Sequence, residues 1–152
     1  MSERRRSAPR DPESQQVLSE QADQAHQDTL RTFGLWLEDE GWRDLEEVDG
    51  AIDLHALPPR GIGGGKRTLF EIKSIRPTTE RGRVRGGLAQ LLEYRLLLGT
   101  PNEHLCLVSD RPISERRLRL LDSLTIGHAY VDAGKVVPSG TDPTRLLFPR
   151  NG

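Results

Sequence analysis

The sequence predicts an α/β (α+β) domain in which a central mixed sheet is flanked by helices. Apolar residues recur at three- and four-residue steps from about residue 13 to 40, which is typical of an amphipathic helix. Short alternating apolar segments bounded by Gly and Pro indicate strands. Further leucine-rich helical segments are interleaved with these strands, an order that places helices against a sheet.

The elements are predicted to follow one another as helix, strand, strand, helix, strand, helix and strand. The first helix should end at Gly41, since glycine commonly terminates helices. The next two segments, 50–57 and 67–75, are separated by too few residues for a crossover helix and should pair as an antiparallel hairpin. The remaining elements are a loop over 76–87, a helix over 88–98, a strand over 103–110, a helix over 113–124 and a strand over 127–138 that contains a turn.

A chain of 152 residues is long enough to bury one core. We predict a flexible basic tail over 1–12, a single domain over 13–140 and a C-terminal tail over 141–152. No apolar run approaches the length of a membrane span, and the basic start lacks the apolar core of a secretory signal. We therefore expect a cytoplasmic protein without a membrane partner, in which the single cysteine, Cys106, is a reduced and buried thiol.

The charges are segregated along the chain although the formal net charge is only -1. The segment from Asp11 to Asp53 contains thirteen acids and two arginines, whereas the segment from Arg60 to Arg95 contains nine bases and three acids. Such a basic stretch indicates a face that binds a polyanion, or else a solvated arginine-rich loop.

The segment GIGGGK, residues 61–66, resembles a phosphate-binding loop only superficially. A P-loop requires a glycine where Arg60 stands and a Ser or Thr where Arg67 stands. It also requires a following helix, and a strand is predicted here instead. The glycines therefore indicate a hairpin turn that uses positive φ angles.

The second strand carries an acid and a base, Glu71 and Lys73, whose side chains should project on the same side. An ordinary ion pair on a half-exposed strand is one interpretation. However, the hairpin can bring Asp53 beside Glu71, and two adjacent carboxylates repel unless a cation lies between them. Their oxygens, with the Ile72 carbonyl, suit Mg²⁺, for which Mn²⁺ could substitute. Lys73 would then orient a water or stabilise charge on a phosphate.

The segments AIDLHAL and TLFEIKS resemble the D…(D/E)-x-K signature of the PD-(D/E)XK nuclease superfamily, which has the restriction-endonuclease-like fold. The predicted elements match the αβββαβ core of that family through most of the chain, from about residue 14 to 132. One departure is Ile52, which stands where many members carry a proline. The resemblance implies that Asp53, Glu71 and Lys73 are catalytic and that the two acids bind the metal.

The helix after the second strand contains Gln90 and Tyr94, four residues apart and therefore on one face. This pair resembles the Q-x-x-x-Y motif of RecB-like branches of the superfamily, which implies contact with the scissile phosphate or its water. A buried pair with backbone partners is the alternative. Some branches add an acid from the first helix, and three residues qualify: Glu20, Asp23 and His26. Asp49 could replace Asp53 but is more typical of a turn.

The predicted activity is that of a metal-dependent DNA endonuclease in repair, recombination or defence against foreign DNA. Arginine suits bidentate phosphate contacts, and the scarcity of aromatic residues favours duplex or branched DNA over RNA. The predicted nucleic-acid-binding residues are Lys66, Arg67, Arg76, Arg81, Arg83, Arg85 and Arg95. Protein partner subunits are expected, and double-strand cleavage by so small a domain would require a homodimer. The alternatives are a catalytically silent nucleic-acid-binding or assembly subunit, a Holliday-junction-resolvase-like enzyme, and a structural protein without a nucleic-acid role.

Overall fold

The computed structural model describes the backbone of residues 12–48 and 52–149, and side chains from residue 24 onward within these ranges. The helices are α1 (Pro12–Asp39), α2 (Glu80–Leu97), α3 (Glu115–Ser123) and α4 (Asp142–Leu147). The strands are β1 (Arg43–Val48), β2 (Ile52–Leu57), β3 (Thr68–Lys73), β4 (His104–Ser109), β5 (Ile126–Asp132) and β6 (Lys135–Ser139). The tail predicted over 1–12 lies outside the described residues except for Pro12, which begins α1.

The six strands form one mixed sheet in which the spatial order is the order of the sequence, β1 to β6. The pairs β1–β2, β2–β3 and β5–β6 are antiparallel, whereas β3–β4 and β4–β5 are parallel. Helices cover both faces of this sheet. The predicted α+β class, with a mixed sheet flanked by helices, is therefore confirmed, as is the antiparallel pairing of β2 with β3.

The prediction missed β1, which is an edge strand with register shifts along its pairing to β2. Its sequence, RDLEEV, exposes most of its side chains, so it lacks the apolar alternation of a half-buried strand. The predicted last strand is a hairpin of two strands, β5 and β6. Its turn is at the predicted place, where Ala133 and Gly134 adopt φ angles of 51° and 78°.

Two helical boundaries differ from the prediction. The segment predicted as a loop over 76–87 is mostly helix, because α2 begins at Glu80 rather than at residue 88. Its arginines and glycines concealed a buried stripe that includes Val84 and Gly87. The predicted C-terminal tail over 141–152 contains α4, which buries Leu147 and Phe148 in the core. Asp142 and Pro143 in its first turn are an N-terminal signal that could have revealed it.

Buried side chains form two clusters, one on each face of the sheet. The cluster under α1 contains five interacting aromatic residues, with ring centroids 5.0 Å apart for Phe33–Phe70 and 5.5 Å for Trp42–Phe70. Cys106 is fully buried there, as predicted. The cluster under α2 and α3 contains Leu91 and Leu121 packed on the opposite face of the sheet. Burial of apolar surface on both faces is the main source of stability in such a three-layer arrangement.

The ten residues between β2 and β3 form a turn that depends on glycine. Gly61, Gly63, Gly64 and Gly65 all have positive φ, as predicted for this hairpin. The carbonyl of Gly63 lies 2.8 Å from His104 Nε2, which ties the turn to the start of β4. None of the described helices combines the length and apolar composition needed to cross a membrane.

The parallel strands β3, β4 and β5 end at the same side of the sheet, which we call the carboxyl edge; they begin at the amino edge. Because β2 is antiparallel to β3, its first residues also lie at the carboxyl edge. The helices α2 and α3 follow β3 and β4 and therefore begin there.

Candidate active site

The two predicted site acids meet where β2 and β3 stop pairing regularly at the carboxyl edge. The register of the hairpin ends at Leu54 opposite Phe70. Beyond this point the Asp53 N–H donates to Glu71 Oε1 at 3.4 Å, and the Ile72 N–H donates to Asp53 Oδ2 at 2.8 Å. A carboxylate thus takes the place of a backbone acceptor between the strands.

This irregularity also separates the two residues that flank Asp53. Ile52 and Leu54 are both buried. However, Leu54 packs in the cluster under α1, whereas Ile52 packs in the cluster under α2. The side-chain alternation of β2 therefore breaks at Asp53, which frees its carboxylate to reach β3.

Glu71 and Lys73 project on the α2 side of β3, while Phe70 and Ile72 pack on the α1 side, as predicted. Lys73 Nζ lies 3.4 Å from Glu71 Oε2. The side chains are 16% and 4% exposed, respectively, so the ion pair is largely shielded from solvent. An acid and a base are thus held together in a partly dry environment, where their interaction is stronger than at the surface.

The first helix contributes His26, one of three candidates that could not be aligned from the sequence. His26 Nε2 lies 3.1 Å from Asp53 Oδ2, and both side chains are partly buried. The side chains of Glu20 and Asp23 and the whole of Asp49 lie outside the described residues. The sequence could not reveal this contact by residue spacing, since His26 lies within the long helix α1 and its partner is 27 residues away.

The environment shifts the pKa values of three groups in the site, those of Glu71, Asp53 and His26. Burial and the charge of Asp53 raise the pKa of Glu71 to about 7, against the opposing effect of Lys73. Burial also raises the pKa of Asp53, but the hydrogen bonds from His26 and the Ile72 N–H outweigh it and the pKa is lowered. The hydrogen bond to Asp53 raises the pKa of His26. The two carboxylates therefore titrate far apart, as repelling neighbours do.

Gln90 and Tyr94 lie on α2 as predicted, and both are partly buried. Gly87 precedes them by three and seven residues, so all three lie toward one side of the helix. A Cβ at Gly87 would lie 3.4 Å from Lys73 Cγ, which shows how closely α2 approaches β3. The motif helix therefore crosses directly over the lysine of the candidate site.

The predicted basic residues divide between the two edges of the sheet. Four of them lie at the carboxyl edge near the acids and are exposed: Arg76, Arg81, Arg83 and Arg85. Lys66, Arg67 and Arg95 lie at the amino edge, at the opposite end of the hairpin and of α2. These three residues therefore lie away from the acids, and their contact with nucleic acid stays a prediction.

The structure also explains why two of these residues are at the amino edge. Arg67 pairs with the buried Glu103, and Arg95 Nη1 donates to the Glu103 carbonyl at 3.2 Å. The Thr100 N–H donates to the same carboxylate at 2.9 Å. Arg67 and Arg95 thus hold the start of β4 against the hairpin and α2, which is a structural role.

Two acids that the sequence did not suggest fix the segment after Lys73. Asp110 accepts hydrogen bonds from Ser74 Oγ at 2.6 Å and from the Ile75 N–H at 2.8 Å. Glu80 accepts from the N–H and Oγ of Ser114 at 2.9 and 2.7 Å. The chain carrying Arg76 is thereby anchored at both ends, although acids beside turns give no distinctive sequence signal.

The donor chemistry of the site fits a hard divalent cation, although the arrangement is sparse. Among the described side chains, those of residues 24–48 and 52–149, no group of three or more His, Cys, Asp and Glu is arranged to hold a metal ion. Two carboxylates can nevertheless bind Mg²⁺ when water and phosphate oxygens supply the other ligands. After burial, the negative charge of Asp53 is the next largest cause of the raised pKa of Glu71, and a cation between the two carboxylates would relieve this repulsion.

Comparisons of the chain with family models, with curated proteins and with solved structures found no match.

Proposed function

We propose that the protein is a metal-dependent nuclease that hydrolyses phosphodiester bonds in DNA. The observation that carries the proposal is the meeting of Asp53, Glu71 and Lys73 where β2 and β3 separate. Two carboxylates and an amine at one edge form a set suited to phosphodiester hydrolysis. The same three residues match the D…(D/E)-x-K signature of the PD-(D/E)XK superfamily.

The order of the elements supports the same proposal. From α1 to β4 the chain runs helix, three strands, helix, strand, which is the αβββαβ order of the restriction-endonuclease-like core. The strand β1, which the sequence did not reveal, supplies the third of the three strands. A fold of this kind also fits nucleases of repair, recombination and defence against foreign DNA.

Asp53 and Glu71 would hold the metal, and the Ile72 carbonyl is a further predicted ligand. When bound, Mg²⁺ would polarise a phosphoryl oxygen and lower the pKa of a coordinated water. Asp53 is prepared for this role because its pKa is lowered by its hydrogen bonds to His26 and Ile72, which outweigh the effect of burial. Glu71 must lose its proton to become a ligand, and its pKa of about 7 makes that possible near neutral pH.

Lys73 is the residue that would act on the attacking water or on the developing charge of the phosphate. Its ammonium group lies 3.4 Å from Glu71 Oε2, and α2 closes over its aliphatic stem at Gly87. A fixed cation in a shielded site stabilises developing negative charge without reorganising solvent. Gln90 and Tyr94, on the same side of α2 as Gly87, would contact the scissile phosphate or its water.

The proposal is tested with supercoiled plasmid in Mg²⁺, and with Mn²⁺ as a substitute. Glu71→Gln and Lys73→Met should each reduce the cleavage rate at least about 100-fold. Glu40→Gln and Lys135→Met are matched controls, because both residues are exposed and lie away from the acids, Glu40 just after α1 at the amino edge and Lys135 at the start of β6. Both variants should cut normally. Undiminished cleavage by both site variants would overturn the assignment. Four-way junctions among the substrates would separate a Holliday-junction-resolvase-like enzyme from a general endonuclease.

A catalytically silent nucleic-acid-binding subunit is the second candidate. It is favoured by the internal partners of both acids, since Asp53 is bonded to His26 and Glu71 is paired with Lys73. Retention of all three signature residues supports the enzyme instead. Binding of DNA without metal-dependent cleavage of plasmid, linear duplex or junction would support the silent subunit.

A further inference from the structure

We propose that double-stranded nucleic acid binds across the first turns of both α2 and α3, so that α3 forms the second half of the substrate-binding face. This inference rests on the proposed function and names the form of its substrate. Arginines at the carboxyl edge form two groups. The first is Arg76, Arg81, Arg83 and Arg85, and the second, which we call the α3 arginines, is Arg111, Arg116, Arg117 and Arg119.

The topology places the two groups side by side. The strands β3 and β4 are parallel neighbours, and the helix that follows each of them begins at the carboxyl edge. The two helix starts are linked directly, because the Glu80 carboxylate of α2 accepts hydrogen bonds from the Ser114 N–H and Oγ, where α3 is capped. Glu71 and Lys73 project toward α2 at this same edge. The basic face therefore adjoins the candidate active site.

The face is strongly positive because its arginines outnumber its acids. Residues 76–85 and 110–119 contain eight arginines and three acids. Of these acids, Glu80 accepts a hydrogen bond from Ser114 Oγ, and Asp110 accepts hydrogen bonds from Ser74 Oγ and the Ile75 N–H. In the part of the chain that the structure describes, none of the eight arginines forms an ion pair with an acid.

The arginines at the amino edge differ from these eight, because their guanidinium groups bind Glu103 inside the protein. Arg67 is paired with the buried Glu103, which it holds at the start of β4. Seven of the eight arginines at the carboxyl edge are exposed, and only Arg117 is partly buried. Arg116 and Arg119 are three residues apart on the outer side of α3, whose inner side contains the buried Leu121. Exposed arginines of this kind suit bidentate contacts with phosphates.

The composition of the face favours a duplex over a single strand. Proteins that bind single strands stack bases on aromatic side chains, and neither 76–85 nor 110–119 contains one. Phe33, Trp36, Trp42 and Phe148 pack together on the other side of the sheet. The axes of neighbouring packed helices lie about 8–10 Å apart. The minor and major grooves of B-DNA are about 6 and 12 Å wide, so the helix spacing falls between the two groove widths. Each helix can therefore contact the backbone of a different strand.

The experiment measures binding without cleavage, in EDTA, by fluorescence anisotropy. The probes are a 30-base-pair duplex and a 30-nucleotide single strand, each titrated over a range of salt concentrations. The variants are Arg116→Gln/Arg119→Gln on α3 and Arg81→Gln/Arg85→Gln on α2. Arg145→Gln is the matched control, since this arginine is 72% exposed on α4, a helix on the other face of the sheet.

We expect wild-type protein to bind the duplex more tightly than the single strand. Each double variant should weaken duplex binding at least about tenfold at 0.1 M salt and reduce the slope of log K against log salt by about 1–2, because each phosphate contact contributes about 0.9. Arg145→Gln should match the wild type. Arg116→Lys/Arg119→Lys should restore most of the slope, which distinguishes loss of charge from loss of folding.

Three outcomes would overturn the inference: equal or tighter binding of the single strand, an α3 variant indistinguishable from Arg145→Gln, or no binding to either probe. Failure of the proposed function gives a different result from failure of this inference. In that case Glu71→Gln would leave cleavage unchanged, while the duplex binding measured in EDTA would stay intact.

Discussion

His26 Nε2 lies 3.1 Å from Asp53 Oδ2 and thereby connects α1 to the start of β2. The contact joins two residues that are 27 positions apart in the chain, at the point where the hairpin opens. The same oxygen accepts the Ile72 N–H, so Asp53 is held from two sides. The orientation of this carboxylate therefore depends on a helix that carries no other described part of the site.

His26→Ala should reduce the cleavage rate about 10–100-fold, the range typical of partners that orient a metal ligand. Loss of the hydrogen bond removes the main effect that lowers the pKa of Asp53. The step of the pH–rate profile near pH 7, which Glu71 sets, should remain, and a second step at lower pH, which Asp53 sets, should move to higher pH. Duplex binding in EDTA should be unchanged. His26→Gln should recover part of the activity, because an amide can still donate to Asp53. A rate and pH profile equal to those of the wild type would contradict a positioning role.

Glu71→Gln should be more stable than the wild type at pH 8 in EDTA, although it is inactive. The pKa of Glu71 is raised from 4.5 in the unfolded chain to about 7 in the fold. Between these two pKa values the folded state binds more protons than the unfolded state. The stability that protonation of Glu71 contributes below pH 4.5 is therefore lost as the pH rises toward 7, at up to about 1.4 kcal/mol per pH unit.

Urea unfolding of both proteins at pH 5 and pH 8 measures this effect. The advantage of Glu71→Gln should shrink at pH 5, where the wild-type carboxyl is protonated in the fold. Glu40→Gln, at an exposed position just after α1, should give the wild-type pH dependence. A Glu71→Gln protein that is less stable than the wild type at pH 8 would contradict the prediction.

Gly87→Ala should impair cleavage even though alanine favours helices. A Cβ at this position would lie 2.5 Å from Leu107 Cδ1 and 3.4 Å from Lys73 Cγ, so Leu107 or the helix must shift. Displacement of α2 would move Gln90 and Tyr94 relative to β3, and small misplacements can reduce rates about 100-fold.

Gly82→Ala and Gly86→Ala are matched controls on the same helix, since a Cβ at either position meets nothing within 4 Å. Each should raise the free energy of unfolding by up to about 1 kcal/mol and leave the rate unchanged. Wild-type cleavage by Gly87→Ala, measured beside these two variants, would show that the close approach is not needed.

His128 should make the protein less stable in acid. Its Nε2 lies 2.8 Å from Ser109 Oγ, and that hydroxyl donates to the Arg111 carbonyl, so Nε2 must be the donor. Nδ1 is then the acceptor and has no partner among the described residues. Burial lowers the pKa of His128 to about 3, from 6.5 in the unfolded chain. The unfolded state therefore binds more protons between these values, and stability is lost as the pH falls from about 6.5 toward 3.

His128→Gln should be less stable than the wild type at pH 7 but should lose less stability between pH 7 and pH 5. Urea midpoints at the two values provide the comparison. Thr144→Val removes a neighbouring buried hydroxyl without a titrating group and should keep the wild-type pH dependence. An equal loss in His128→Gln and the wild type would assign the acid sensitivity to other groups.

The sequence predicted the parts of this molecule that have strong local signals. The hairpin that joins Asp53 to Glu71 could be inferred because its apolar segments and glycine turn leave little alternative. The contact of His26 with Asp53 could not, since nothing local fixes the rotation of α1 over the sheet. The contacts of Arg67 and Arg95 with Glu103 could not be inferred for a related reason, because composition does not distinguish an arginine that pairs with a buried acid from one that faces solvent. Edge strand β1 and the short helix α4 lacked the apolar periodicity that reveals buried elements.

The strictly sequential order of the strands has a consequence for how the molecule assembles. Each strand pairs with its neighbour in the chain, so only the connections β3–β4 and β4–β5 must cross between parallel strands. Local pairings close short loops and form quickly, whereas parallel crossovers are slower. The β2–β3 hairpin spans only ten connecting residues. Asp53 and Glu71 should therefore come together early in folding, before α2 packs over Lys73.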